Sequence, residues 1–277
     1  SDNKNLMNNI TLYKTLIEES AKQVTFNTNI IDFLKKPISY FNIQDILDGI
    51  KLSNTRILGA ILFSIDGDCY TSGYVSDYPS FKEILEDKNI ASFLKDSNQK
   101  NKWLVRNKFI PKYYNNNYYR SELGVITYIS KIEDQKGKVR GYLFIDIDPK
   151  YFYTSNYNDD NKNYRNDINI YIYDKKLGLL PKEYNLGSAK VSFSLYDQRN
   201  NLKTFVTNKS TNIEYYHDTL IFVNHLFNNS YLIITFNTNS FKNDLLIYTL
   251  LLVSGSILLI IASIFLSFGL AKSIYNP

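Results

Sequence analysis

The chain has 277 residues, of which 44% are hydrophobic and 21% charged, enough for two folded units of ordinary domain size. Its net charge of +5 comes from 32 basic and 27 acidic side chains, without the basic stripe of a nucleic-acid-binding protein, so nucleic acid is excluded as a partner. The single cysteine, Cys69, excludes an intrachain disulfide and a cysteine-based zinc cluster, and the two histidines lack ligand spacing, so no metal or cofactor is expected.

The first element is predicted to be one long helix over residues 3–36. Its apolar residues recur on alternating steps of three and four, which gives a helix about 50 Å long that Pro37 would stop. We expect a stalk that packs along a domain or along a second copy of itself. The seam consists of Leu6, Ile10, Tyr13, Ile17, Val24, Ile31 and Leu34, with Ser20 and Asn27 in the two remaining positions.

An α+β unit is predicted next. After a short helix near residues 43–50, RILGAILFSIDGDCYTSG indicates a strand, an Asp-Gly turn and a second strand. DYPSFKEILED indicates a helix with Asp77 as N-cap and Pro79 in its first turn. Three strands follow, KWLVRN, GVITYISKI and VRGYLFIDID, and a hairpin across EDQKGK joins the last two.

Alternation in VRGYLFIDID predicts one core face and one face that carries aromatics and then carboxylates. The core face would hold Val139, Leu143, Ile145 and Ile147, and the other face Tyr142, Phe144, Asp146 and Asp148.

A second, smaller sheet unit is predicted after a polar linker over residues 154–167. Its strands are INIYIYD, AKVSFSL, KTFVTN, DTLIFVNHLF and SYLIITFN, and the unit is a candidate for a weak structural duplicate of the first. From Leu245 to Leu270 no charged residue occurs, and a helix of this length reaches about 39 Å, enough to cross a bilayer with some tilt. The fold class is therefore α+β, with a long N-terminal helix, two antiparallel-sheet modules and one transmembrane helix.

This order of elements resembles the extracytoplasmic double Cache sensor domain of bacterial receptors, which has two PAS-like modules. GYLFIDID, from Gly141, looks like the Cache strand of a glycine, an apolar run and an aspartate, and LAKSIYNP is similar to the opening of a HAMP linker. The resemblance implies five segments. They are a stalk helix at 1–36, a membrane-distal module at 37–153, a linker and membrane-proximal module at 154–243, a transmembrane helix at 244–271 and the start of HAMP at 272–277.

The resemblance also implies a function. The chain would be the ligand-sensing region of a homodimeric membrane receptor, most like a sensor histidine kinase of the YesM type, with residues 1–243 outside the cell and the C-terminus in the cytoplasm. We expect it to be a piece of a longer chain, because it stops at Pro277, just where the membrane helix would emerge, and the missing part would carry the output. Two alternatives stay open: the same ectodomain on a methyl-accepting chemotaxis receptor, and a membrane-anchored surface protein without a small ligand.

Trp103 and Asp146 match a tryptophan and an aspartate of the amino-acid-binding Cache subset, whereas Asn101 replaces its arginine and Leu104 its first tyrosine. In such a pocket an arginine pairs with the ligand carboxylate, a carboxylate holds the ammonium group, and aromatic rings form the walls. Arg106 or Arg120 would supply the cation instead, and Arg106 is the stronger candidate because Arg120 is expected in a solvated loop. The candidate ligand-binding residues are Trp103, Asp146, Arg106, Tyr119, Tyr128 and Tyr70, and the expected ligand is an amino-acid-like small molecule or a peptide.

Overall fold

The structure is a computed structural model. It describes residues 2–36, 42–54, 57–73, 75, 78–106, 125–148, 168–175, 178–180, 213–216, 219–227 and 230–275. The chain divides into two compact units. The first comprises Ser1–Asn161, Ile170–Asn185 and Val223–Ile233, and the second Lys162–Asn169, Leu186–Phe222 and Ile234–Pro277.

The first sheet has five antiparallel strands in the order β2-β1-β5-β4-β3. They are β1 Ile57–Ser64, β2 Cys69–Thr71, β3 Asn101–Arg106, β4 Val125–Glu133 and β5 Val139–Ile147. Gly67 closes the predicted Asp-Gly turn between β1 and β2 with a φ of 97°, a conformation that glycine adopts without steric cost. All of the strands predicted for this unit are confirmed.

Helices cover both faces of this sheet. They are α1 Asp2–Thr25, α2 Thr28–Lys35, α3 Ile43–Ser53, α4 Phe81–Ile84 and α5 Lys88–Lys95. Helices α1 and α2 pack on the central strands, and α3 packs on β1 and β2. Side chains from α4 and α5 join the core of the opposite face, next to Phe63 and Phe144. The central strands are therefore buried on both sides.

The predicted single stalk helix is wrong in one respect, because it is broken into α1 and α2. Asn27 is extended, with φ −74° and ψ 114°, and its side-chain oxygen accepts from the backbone N–H groups of Asn29 and Ile30. An asparagine that satisfies these orphan donors begins a new helix. The seam itself is confirmed as a buried face, since Ile10, Tyr13, Ile17, Val24, Ile31 and Leu34 are all buried.

Two other local predictions need correction. The N-cap before α4 is Ser80 rather than Asp77: Ser80 and Glu83 form a reciprocal capping box that places the helix start after Pro79. Asp77 itself lies outside the described residues. In β5 the alternation of faces is confirmed, but the face of Phe144 and Asp146 is as buried as the other, because α4 and α5 cover it.

The second sheet has the order β7-β6-β10-β9-β8, which repeats the strand order of the first. Its strands are β6 Ile168–Asp174, β7 Gly178–Leu180, β8 Ile213–Tyr216, β9 Thr219–Phe227 and β10 Ser230–Asn237. Three of the predicted strands are confirmed as β6, β9 and β10. The linker and the two other predicted strands lie outside the described residues.

The last helix, α6 Asn239–Tyr275, follows β10 almost directly, as predicted. Within it, Leu245–Ser267 is long and apolar enough to cross a membrane, and none of this window is buried inside the molecule. A soluble core helix of that length would hide its apolar side chains. The exposure of leucine and isoleucine all round α6 is typical of a helix that faces lipid.

Candidate functional site in the first sheet

A buried polar cluster lies on the α4/α5 face of the first sheet. It consists of Tyr78, Arg106, Thr127 and Asp146 and is called the Arg106 cluster below. Arg106 forms an ion pair with Asp146 through Nη2, and its Nε donates to Thr127 Oγ1 at 2.7 Å. Thr127 Oγ1 in turn donates to Asp146 Oδ1 at 2.6 Å. Tyr78 Oη accepts from Arg106 Nη2 at 2.8 Å and donates to Asp146 Oδ2 at 2.9 Å.

Strand register brings these side chains together. Thr127 on β4 lies directly opposite Asp146 on β5, so both project from the same face. Arg106 is the last residue of β3 and pairs with Val125, two positions from Thr127, so it shares that face as well. Tyr78 comes from the segment before α4. The cluster therefore sits at one end of the sheet, where β3 and β5 end and β4 begins.

The cluster is isolated from water. The side chains of Arg106 and Asp146 are 3% and 0% exposed. Charges in such a place carry a large desolvation cost, which is offset only by close pairing and hydrogen bonds. Next to the cluster lies an apolar core that consists of Ile61, Phe63, Ile84, Ile90, Phe93, Leu104, Ile129 and Phe144.

Trp103 and Tyr128 lie on the other face of the sheet, against α1. Trp103 Nε1 donates to Glu18 Oε1 at 2.7 Å, and its ring contacts Tyr128 and Phe227 with centroids 5.0 and 5.7 Å apart. Lys14 lies over the Trp103 ring at 5.9 Å. Burial, with a smaller contribution from Glu18, raises the pKa of Tyr128 to about 12, so its phenol stays neutral. Both rings thus lie where α1 packs against the sheet.

Tyr70 also lies on the stalk-helix face, where its ring meets Phe33 of α2 edge to face at 5.2 Å. Of the five candidate residues that the structure describes, Arg106 and Asp146 meet in the Arg106 cluster. The structure places Trp103, Tyr128 and Tyr70 on the opposite face, and Tyr119 lies outside the described residues.

Sequence reasoning missed Tyr78 and Thr127. Thr127 had a usable signal, because it follows two apolar residues at the start of the strand, and a hydroxyl that is buried there needs a partner. Tyr78 had none, since it lies in an irregular segment of a tyrosine-rich chain.

A second buried carboxylate, Asp134, occupies the β4–β5 hairpin at the other end of the same strands. Arg140 donates to its Oδ2 through Nε at 2.9 Å and Nη2 at 2.6 Å. The backbone N–H groups of Lys136 and Lys138 donate to Oδ1 at 2.9 and 3.0 Å. The hydrogen bonds from Arg140 are the main reason why the pKa of Asp134 falls to about 2. These contacts within one hairpin stabilise its turn.

Among the described residues, no group of three or more His, Cys, Asp or Glu side chains is placed to hold a metal ion. The Arg106 cluster is instead an arrangement of one cation, one anion and two hydroxyls beside apolar rings, which is chemistry suited to a small polar organic molecule.

Comparison with known proteins gives structural matches only. No protein-family model and no curated protein matches the sequence. The extracellular domain of a protein assigned as the histidine kinase vpHK1S-Z8 is 12% identical, with a TM-score of 0.57 over 84% of this chain and 90% of that chain. A domain of a protein assigned to the sensory box/GGDEF family of Vibrio parahaemolyticus is 15% identical, with a TM-score of 0.57 over 84% and 91%.

A third solved structure is the ligand-binding domain of the amino acid chemoreceptor PctB of Pseudomonas aeruginosa in complex with L-Arg. It is 13% identical, with a TM-score of 0.49 over 85% of this chain and 90% of that chain. The first two matches and the repeated strand order establish an α+β fold of the PAS-like, Cache type, followed by a helix that could span a membrane.

Proposed function

We propose that the chain is the extracytoplasmic sensing region of a membrane receptor, and that its ligand binds at the Arg106 cluster. The observation that carries this proposal is the buried ion pair of Arg106 and Asp146 at the end of a sheet whose fold is shared with an extracellular sensor domain. A buried ion pair is often no more stabilising than apolar residues of the same volume, which favours a role other than stability.

The ligand class follows from the charges of the cluster. Arg106 offers a donor fork that suits a carboxylate, and Asp146 offers an acceptor that suits an ammonium group. A zwitterion that inserts between them would replace one ion pair by two and leave neither charge uncompensated. We therefore propose an amino acid or a peptide terminus as the ligand. Trp103, Tyr128 and Tyr70, on the opposite face of the sheet, and Tyr119 stay predicted ligand-binding residues outside the pocket proposed here.

The proposed signal passes from the first module (37–153) through the second (154–243) to the transmembrane helix and then to a cytoplasmic histidine kinase, most like the YesM type and reached through a HAMP linker. Residues 1–243 are outside the cell in this proposal. Such coupling requires the ligand to bind one of two conformations more tightly. A chemotaxis receptor remains the alternative with the same binding module, and a surface protein without a ligand is the alternative of a different class.

A thermal-shift screen of the whole chain in detergent, across L-amino acids, short peptides, sugars and dicarboxylates, tests the proposal. A ligand at 100 times its dissociation constant stabilises the folded state by about 2.7 kcal/mol, which is a measurable increase in Tm. We expect an amino-acid or peptide hit, and Asp146→Asn should abolish the shift because it removes the charge that holds the ammonium group.

Asp134→Asn is the matched control, since it removes a second buried carboxylate that pairs with an arginine, in the hairpin between β4 and β5. It should lower Tm but keep the ligand-induced shift. If Asp146→Asn does not fold, Tyr78→Phe removes a single hydroxyl from the cluster and should weaken the shift. A ligand whose shift survives both cluster variants would place binding elsewhere, and a screen without any hit would favour the surface protein.

We further propose a homodimer, with a correction to where its contact lies. The predicted seam of α1 is buried against the sheet of its own chain and is therefore occupied. The opposite face of α1 exposes Leu12 and Leu16, one turn apart, with 61% and 50% of their surface accessible. Apolar side chains so placed are suited to packing against a second copy of α1.

A further inference from the structure

The edge of the second sheet carries an exposed apolar surface that the proposed function does not use. On the edge strand β8, Ile213 and Tyr215 are 53% and 54% exposed. Their cross-strand partners on β9 are Phe222 and Leu220, which are half-buried. Directly opposed residues project from the same face of a sheet. These four side chains form one apolar surface, called the β8 patch below.

The patch is tied to the start of α6. Tyr215 Oη lies 3.2 Å from Thr238 Oγ1, and Lys242 Nζ lies 5.9 Å from the centre of the Tyr215 ring. Lys242 is about one helical turn before Leu245, where the apolar span begins. At about 1.5 Å per residue, that is a distance of about 5 Å along the helix axis.

Where α6 spans a bilayer from Leu245, the part of the proposed function on which this inference rests, this distance puts Tyr215 at the depth of the lipid headgroups. A bilayer has about 5 to 8 Å of interfacial layer on each side of its hydrocarbon core. A helix that continues into the core from Leu245 therefore holds Lys242, and the tyrosine ring beside it, within this layer. Since the ring and the first turn of α6 are in contact, β8 cannot leave the interface unless that contact breaks.

The residue types fit this position. Tyrosine is enriched at membrane interfaces, because its ring is apolar and its hydroxyl polar, and lysine extends its ammonium group toward headgroup phosphates. Exposed apolar residues on an edge strand promote aggregation when they face water. Contact with lipid would cover these residues and remove that risk.

We propose that the β8 patch is a membrane-docking surface, with Ile213 and Tyr215 lying in the headgroup layer of the bilayer that α6 spans. The second sheet is then held at the lipid surface at two points, its edge strand and its covalent link to α6. A movement of this sheet relative to α6 would have to lift the patch out of the interface, so the lipid surface opposes it.

Depth-dependent quenching in lipid nanodiscs tests the proposal with the whole chain. Tyr215→Trp places an indole in the patch, and tryptophan fluorescence is quenched on contact with brominated lipid. The wild type contributes only Trp103, which is buried and gives the background. Leu258→Trp, in the middle of the apolar span, is the deep reference.

We expect Tyr215→Trp to be quenched more by lipid brominated near the headgroup than by lipid brominated near the chain ends, and Leu258→Trp to show the reverse order. Quenching of Tyr215→Trp no greater than that of the wild type would overturn the proposal, and so would quenching with the depth profile of Leu258→Trp. If Tyr215→Trp fails to fold, Ile213→Trp reports on the same face and must give the same order.

Discussion

Two arginine–aspartate pairs of the first sheet have different surroundings and, we infer, different tasks. Asp146 is surrounded by two hydroxyls, the guanidinium of Arg106 and an apolar core. Asp134 is held by Arg140 and by the backbone of its own hairpin. Residue type and spacing alone do not distinguish them. What distinguishes them is that the partners of Asp146 come from separate elements, whereas those of Asp134 come from its own hairpin.

Asp134 should make stability depend on acid. Its pKa is about 2 in the folded chain and about 3.9 in an unfolded one, so the folded state favours the carboxylate. The stabilisation is fully present above about pH 4 and is lost as the pH falls toward 2. Asp134→Asn keeps an oxygen for the backbone donors but loses the charge that Arg140 needs. We expect its Tm to lie below that of the wild type at about pH 6, with the difference shrinking below about pH 4.

The control for this pH series is Asp32→Asn, which breaks an exposed ion pair with Lys35. Exposed pairs contribute little, so its Tm should stay close to that of the wild type. A Tm difference for Asp134→Asn that is the same at every pH would show that the charge of Asp134 is not the cause.

Gly141 is required by close approach. A Cβ atom at this position would lie 2.5 Å from the backbone oxygen of Phe63 and 3.0 Å from Leu34 Cδ1, so β1 or α2 would have to move. We expect Gly141→Ala to destabilise the chain by about 1 to 3 kcal/mol, the usual range for overpacking. Gly49→Ala, in α3 with nothing within 4 Å of the new atom, should instead stabilise it by about 0.4 to 1 kcal/mol. Thermal melting of both variants in detergent gives the signs, and equal signs would contradict this explanation.

At the level of elements, sequence periodicity predicts the strands, turns and helices that are determined by residues close together in the chain. The strands β1, β4 and β5, the Asp-Gly turn and the apolar helix α6 each follow from a local pattern, and all are confirmed. The break at Asn27 is not visible in the sequence pattern. The spacing of buried residues continues through α2, although the backbone leaves the helical conformation at Asn27 and a new helix begins after it. The side chain of Asn27, which caps α2, sets the boundary between the two helices. The geometry of this cap is visible only in the three-dimensional structure.

The candidate site was predictable in part for the same reason. Asp146 stood out as a carboxylate at the end of an apolar strand, and Arg106 as a cation in another. Which face each residue occupies depends on register across β3, β4 and β5, and a shift of one residue exchanges the faces. That register places Trp103 against α1 rather than beside Asp146. A family motif gives the residue type at a position, but strand pairing determines which other side chains that residue contacts.

At the scale of the whole molecule, the outer face of α1 carries the proposed dimer. Packing two leucines against a second copy removes apolar surface from water, at about 1.5 to 3 kcal/mol for each fully buried side chain. The double variant Leu12→Glu/Leu16→Glu should therefore raise the dissociation constant of the dimer by about tenfold or more, since each 1.4 kcal/mol is a factor of ten. Sedimentation equilibrium of the whole chain in detergent measures this constant.

Leu52→Glu, which changes an equally apolar and 69% exposed position on α3, is the control and should leave the constant unchanged. A wild type that sediments as a monomer, or a double variant whose constant matches that of Leu52→Glu, would remove α1 as the dimer contact.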